Sequence, residues 1–372
     1  KPFSDPEIQH LTEDAKAFQP QIQKTLTMKY INYILPLFLL FIISCSENNT
    51  SDENGDGSVF ILNQGSFQAG NASITAYDPF TNEVQQNYFS QNNNGRPLGD
   101  VAQSASLIND NLFIVVNNSH KIEVVDPETF VASHTINFDN ELSPRYIESV
   151  GNNKAYITSY TDSVAILDLE SMEVTGYIDA GSRTEGLAVS GSHAFVANTY
   201  YRDFSAATTV TMINTTDDEI VNTIELREGP SVVKADSQNR IWVVATGPYD
   251  ESFTHNDAAV YVLNASDGSI IETIELNGGG GDLAFHEDDN SAYISSGGIR
   301  VIDMVDLTLS NTPLSTQSFY SLGFDRSVEP AIYAGSDKGA EQSGMAYIYD
   351  IEGAVVDSFA TGIFPGFFQF SN

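Results

Sequence analysis

From residue 58 onward, short apolar runs alternate with turns rich in Asn, Asp and Gly, and no stretch sustains a helical period. One pattern recurs. A run such as "NKAYITS" follows an Asn/Asp/Gly turn, and a second run closes on two apolar residues and then Asp or Asn. The second runs read "ITAYD", "IEVVD", "VAILD", "VTMIN", "VYVLN", "IRVID" and "YIYD". They end at Asp78, Asp126, Asp168, Asn214, Asn264, Asp303 and Asp350, roughly 40–50 residues apart, which is the length of a four-stranded propeller blade.

The pattern predicts an all-β chain, a seven-bladed β-propeller over 58–372. Each second run leads through a turn to an outer strand such as "EVTGYIDA" or "SIIETIEL". A hinge carrying Pro, Gly, Ser or Arg then opens the innermost strand of the next blade. Those inner strands are expected to start near Asp100, Pro144, Glu185, Ser231, Asp282, Ser321 and Pro365. The last, "FPGFFQF", has no partners after it, and the first unit, "SVFILNQ", has no inner strand before it. The C-terminal strand is therefore expected to complete the first blade, closing the ring and removing its free edges. The recurring Asp and Asn residues sit at turns, where their side chains bond backbone amides two residues on; they are read as turn caps, not as a binding ring.

Composition agrees with strands. Apolar residues make up 41% and charged residues only 18% of the 372. The formal charge of −34 lies beyond residue 44, because residues 1–44 carry four basic and four acidic side chains. An acidic surface of this size repels phosphate backbones and anionic headgroups, so nucleic acid is excluded as a partner.

The N-terminal part follows a different logic. Met28-Lys29-Tyr30 precedes "INYILPLFLLFIISC", an apolar stretch with the dimensions of a secretory signal and too short to span a bilayer comfortably. Its end, Ile42-Ile43-Ser44-Cys45, resembles the bacterial lipobox, whose cysteine is acylated and becomes the new N-terminus. Cys45 is the single cysteine, which also excludes a disulfide framework. The expected organisation is an upstream extension outside the mature protein (1–27), a lipoprotein signal peptide (28–44), an acidic flexible tether (45–57) and the propeller (58–372). Within the tether, Asp52, Asn54, Asp56 and Gly57 match the head of a calcium loop, but Asn63 stands where a bidentate Glu is needed, so a solvated linker is expected.

The repeats, with "YIDAG" and "IELREG" leading into inner strands, resemble the YncE-type (YVTN-repeat) propellers. The segments "ILNQGSFQAGNASITAYDP", "PLGDVAQSASLINDNLFIVVNNSHKIEVVD" and "SPRYI" resemble more narrowly a group of Bacteroidota surface lipoproteins that includes the BtuG proteins. That resemblance covers almost all of 58–372. It implies an outer-membrane protein, lipid-anchored and facing the cell exterior, that touches the membrane only through its anchor. It further implies capture of a cobalamin-like corrinoid, or another large organic nutrient, and transfer to a TonB-dependent outer-membrane transporter.

In a propeller, the loops joining strands two and three share one face with the hinges between blades. Those segments supply the candidate ligand-binding residues Asn63, Phe67, Asn117, His120, Arg145, Tyr160, Tyr200, Arg202, Tyr249, Phe253, Tyr320 and Phe364. Gln64, Tyr201, Phe204, His255, Lys338, Gln342, Arg96 and Arg183 lie in the same segments. Loop aromatics offer flat apolar platforms with little entropy to lose, and Asn, Gln and Arg beside them orient amides, sugars or phosphates. Six scattered histidines, no "GxSxG" elbow and no phosphate loop lead to an expectation of no catalytic residues, no metal and no cofactor. Two alternatives stand beside ligand capture: an adhesion propeller, and a lactonase-type hydrolase built from Glu185, Asp282 and His255.

Overall fold

A computed structural model describes residues 57–138, 142–151, 153–248, 255–339 and 341–371. The described residues form seven four-stranded antiparallel sheets, the blades of a β-propeller. The innermost strands, blades 1 to 7, are Pro365–Phe370, Ala102–Ile108, Pro144–Gly151, Arg183–Ser190, Pro230–Ala235, Leu283–His286 and Ser321–Asp325. Each starts within two residues of the expected position.

The ring closes as the sequence predicts. Pro365–Phe370 pairs antiparallel with Val59–Asn63, in the register Val59↔Phe370, Phe60↔Gln369, Ile61↔Phe368. Ser371 N donates to Ser58 O at 3.1 Å beyond the last paired residues.

Second strands such as Lys154–Ser159 and Arg240–Ala245 are buried along almost their whole length, because neighbouring blades cover both faces. Hence they read as continuous apolar runs, whereas the outer strand Glu173–Asp179 alternates exposed and partly buried positions. The core is correspondingly divided. Seven apolar clusters each join two neighbouring blades, and the one between blades 7 and 1 packs Phe368 with Val59, Ile61 and Tyr333.

All seven recurring Asp/Asn residues cap turns. Asp126 Oδ1 accepts from Glu128 N and Thr129 N at 3.1 and 2.8 Å, and Asp168 Oδ1 from Glu170 N and Ser171 N at 3.0 and 2.7 Å. Asp78, Asn214, Asn264, Asp303 and Asp350 accept the amide two residues on in the same way. These backbone and hydroxyl donors hold the Asp126 and Asp168 carboxyls below the usual range.

Not every unit matches its expected form. The outer strands of blades 1 and 6 shrink to Glu83–Gln85 and Thr308–Leu309. A short helix, Tyr88–Asn92, occupies the first hinge and plugs the seam with its buried Phe89.

Between blades, a side chain of one reaches the first backbone carbonyls of the next inner strand. Asn117 Nδ2 donates to Pro144 O at 2.9 Å, Thr158 Oγ1 to Glu185 O at 2.6 Å, Thr199 Oγ1 to Pro230 O at 2.6 Å and Ser321 Oγ to Pro365 O at 2.8 Å. Proline suits three of these starts, since the innermost strand is an edge with no neighbour to receive an N–H. Blades 4 and 5 approach so closely that a Cβ on Gly186 would lie 2.4 Å from Ser231 O and 2.7 Å from Val233 N. On the inner strand of blade 3, Glu148 accepts from Ser106 Oγ at 3.2 Å. Burial pushes its carboxyl up to about 7, against the opposing effect of that hydrogen bond.

Two outcomes are expected. Gly186→Ala forces the inner strands of blades 4 and 5 apart and destabilises by about 1–3 kcal/mol in urea unfolding. Because the folded state binds the Glu148 proton more tightly than the unfolded chain, stability falls as the pH rises from the ordinary carboxyl value to about 7 and stays lowered above it. Glu148→Gln should therefore stabilise by about 1–3 kcal/mol at pH 8, with the gain fading towards pH 5. A pH series of denaturant midpoints for both proteins checks the sign.

Candidate functional site

Where the inner strands begin, all seven blades turn side chains or backbone into one cavity of about 400 Å³. Gln64, Gly366 and Phe367 come from blade 1, Gln103 from blade 2, Arg145, Tyr146 and Tyr160 from blade 3, and Glu185 and Tyr200 from blade 4. Lys234, Thr246 and His255 come from blade 5, Asp282 from the start of blade 6, and Phe319 and Tyr320 from the hinge into blade 7. Hinges and second-to-third loops thus do share one mouth.

The charges inside it are paired across blades. Arg145 Nε lies 2.9 Å from both Glu185 oxygens and Nη2 lies 2.6 Å from Oε1. The same guanidinium lies 4.5 Å over the Tyr160 ring, which meets Tyr200 edge-on at 6.3 Å. Lys234 Nζ sits 3.1 Å from Asp282 Oδ1 and also donates to Leu283 O. Asp282 accepts in addition from Leu283 N at 2.8 Å and Leu322 N at 2.9 Å, which ties blade 6 to blade 7.

Burial works against the charge on Arg145, but the Glu185 carboxylate outweighs it and raises its pKa further. Burial first, and then the same carboxylate, raise the Tyr146 and Tyr160 phenols. Those hydroxyls are therefore neutral at physiological pH and serve as hydrogen-bonding groups, not as bases. Tyr320 is raised by burial as well; it bonds Gln64 and meets Phe364 edge-on at 4.4 Å.

Of the residues singled out from sequence, Arg145, Tyr160, Tyr200 and Tyr320 line this cavity, and so do Gln64, Glu185, His255 and Asp282. The remaining candidates among the described residues lie elsewhere or turn away from it. Asn63 is buried, its Nδ2 donating to Ser73 Oγ and Thr75 Oγ1 at 3.2 and 3.0 Å. Asn117 is spent on Ser143 and Pro144, and His120 Nδ1 sits 3.0 Å from Leu142 O. Arg202 pairs at 3.3 Å with Asp162 and Asp179 on the exposed rim. Phe364 supports Tyr320 from behind, and Phe67 stands 68% exposed on its loop. Cys45, Tyr249 and Phe253 lie outside the described residues.

Sequence reasoning passed over Gln103, Tyr146 and Lys234 because they fall within predicted inner strands. A signal was present, since each places a polar or amphipathic residue within an inner-strand run ("VAQSASLI", "PRYIESV", "PSVVKAD").

Comparison with solved structures finds the same architecture. A quinoprotein alcohol dehydrogenase-like protein from Bacteroides thetaiotaomicron VPI-5482 aligns with a TM-score of 0.66 at 14% identity, over 86% of this chain and 79% of that one. Hydrazine synthase from Kuenenia stuttgartiensis aligns with a TM-score of 0.59 at 16% identity, over 71% of this chain and 87% of its own. At such identities the likeness is one of fold alone. No curated protein matches by sequence. The family profile described as "Domain of unknown function (DUF5074)" matches residues 56–248, more than half of the sequence, and the chain belongs to that family.

Proposed function

We propose that this protein captures an organic ligand in the axial mouth of the propeller and does no chemistry on it. The observation that carries the reading is the cavity of about 400 Å³ to which every blade contributes, walled by tyrosines and phenylalanines. Concave, mostly pre-formed sites with a few convergent polar groups are the usual form of small-molecule pockets. The carboxylates are committed: Glu185 is held by Arg145, and Asp282 by Lys234 and two backbone amides. That arrangement favours holding a ligand over a hydrolase using Glu185, Asp282 and His255, although all three line the same cavity.

The signal-like segment before Cys45 supports export and lipid anchoring at the outer membrane, with the propeller facing outward. In that setting the captured nutrient passes to a TonB-dependent transporter. Sequence resemblance supports a cobalamin-like corrinoid or another large organic nutrient as the cargo. The cavity lies at the small end of organic-ligand pockets, so a ligand of corrinoid size would seat one edge in it. The remainder would spread over loop aromatics such as Tyr201 and Phe204, which are 40% and 66% exposed.

One observation favours a protein-binding reading as the second choice. Ile220, Val221, Ile270 and Ile271 are each at least 40% exposed on the outermost strands of neighbouring blades 4 and 5. Exposed apolar residues gathered on neighbouring outer strands favour an interaction site.

The two separate in a thermal-shift screen of the full chain against cyanocobalamin, haem, ferric siderophores and glycans. Capture predicts a raised melting temperature with one class and at least tenfold weaker binding for Tyr160→Ala and Tyr200→Ala. No shift with any class, together with a protein partner whose binding is lost in Ile220→Asp/Ile271→Asp, would replace it with the second reading.

A further inference from the structure

The cavity leaves hydrogen-bonding capacity open on neutral groups and on one nitrogen of an ion-paired guanidinium. Gln103 is only 5% exposed, lines the cavity, and its carboxamide meets no protein hydrogen-bond partner among the described residues. That carboxamide borders the cavity and keeps both donor and acceptor capacity for whatever enters it. The Tyr146 hydroxyl, also at the cavity wall, likewise meets no protein partner among the described residues.

Arg145 is charged, but its Nε and Nη2 are spent on Glu185. Its Nη1 meets no protein acceptor among the described residues, and it can donate without any ion pair being broken. Lys234 and Asp282 neutralise one another in the same way. An ionic ligand would bring an uncompensated charge into this space or split a buried pair.

The walls add a shape requirement. Ring contacts made by cavity aromatics are edge-on: Tyr160–Tyr200 at 84°, Tyr320–Phe364 at 73°, and Phe319 with Tyr349 at 77°. No pair of cavity rings among the described residues stands face to face as a slot for a flat heterocycle. Single rings without a facing partner suit a puckered ring that lays one C–H face on an aromatic and carries hydroxyls around its edge. Hydroxyls both donate and accept, as Gln103, Tyr146 and the Arg145 Nη1 group together require.

Resting on the capture reading above, we propose that the axial cavity recognises an uncharged saccharide ring, with Gln103 and Tyr146 bonding its hydroxyls. Isothermal titration of the full chain tests this. The probes are methyl glucopyranoside, galactopyranoside, mannopyranoside and fucopyranoside, maltose and lactose, with glucuronate and glucosamine as charged counterparts and cyanocobalamin as an alternative cargo.

At least one neutral sugar is expected to bind, and its charged counterpart at least tenfold more weakly. Gln103→Leu, which keeps the side-chain volume, and Tyr146→Phe, which removes one hydroxyl, are each expected to weaken it at least tenfold with the melting temperature preserved. If Gln103→Leu fails to fold, Tyr146→Phe decides alone. Binding of cyanocobalamin and of no sugar, sensitive to Tyr160→Ala, would overturn the saccharide assignment and leave capture standing. Preference for glucuronate or glucosamine over the neutral ring would also overturn it. Silence towards every probe by a folded chain would overturn the saccharide assignment, and capture would then rest on the haem and siderophore arms of the thermal-shift screen.

Discussion

The pairing of Val59–Asn63 with Pro365–Phe370 is the constraint on which the rest of the structure hangs. A blade has no core of its own. Its apolar residues are buried only against the two blades beside it, and each of the seven clusters straddles a seam. An open array would leave two apolar sheet faces and two free edges in water, a state prone to aggregation. Joining the chain ends in one sheet covers the last seam with Phe368, Val59 and Ile61. It also gives every blade a neighbouring blade on each side.

The candidate site is a consequence of that closure. Once seven inner strands surround one axis, the hinges that open them converge whatever their sequences. What those hinges carry then decides the chemistry. Here they bring Arg145 to Glu185 and Lys234 to Asp282, each pair joining adjacent blades. Such pairs do two things: they fix the spacing of the inner strands, and they leave a mouth whose charges cancel on a protein of net charge −34. Aromatic groups and neutral amides dominate what remains. The same reasoning explains why Asn117 is no ligand contact. Its amide is consumed in tying blade 2 to the Pro144 carbonyl.

Fold was legible in the sequence because blade construction repeats. Turn-capping Asp and Asn at regular intervals, continuous apolar second strands and an unpaired "FPGFFQF" at the end are local signals with one global solution. The site was legible only in part. Arg145, Tyr160, Tyr200 and Tyr320 stand in loops or hinges or at the strand ends that meet them, where exposure to the mouth follows from topology. Gln103, Tyr146 and Lys234 stand inside strands, and their direction depends on register shifts such as those between Pro144 and Ile147 or Pro230 and Val232. One such irregularity reverses which face a side chain takes. Asn63, at the end of its strand, and the loop residue His120 were open to the opposite error, because a polar side chain beside a loop reads the same whether it meets ligand or protein.

Closure of the ring can be tested directly by a cross-link between the chain's two ends. With Cys45→Ser removing the native thiol, Ser58→Cys and Ser371→Cys place two thiols on backbones joined by a 3.1 Å hydrogen bond. Neighbouring antiparallel positions fall within the Cα separation a disulfide bridges. Mild oxidation of the native protein should give a nearly complete intramolecular disulfide, seen as a faster, reductant-sensitive band on a denaturing gel. Thiols that stay free, or that join only between molecules, would contradict a ring closed in this way.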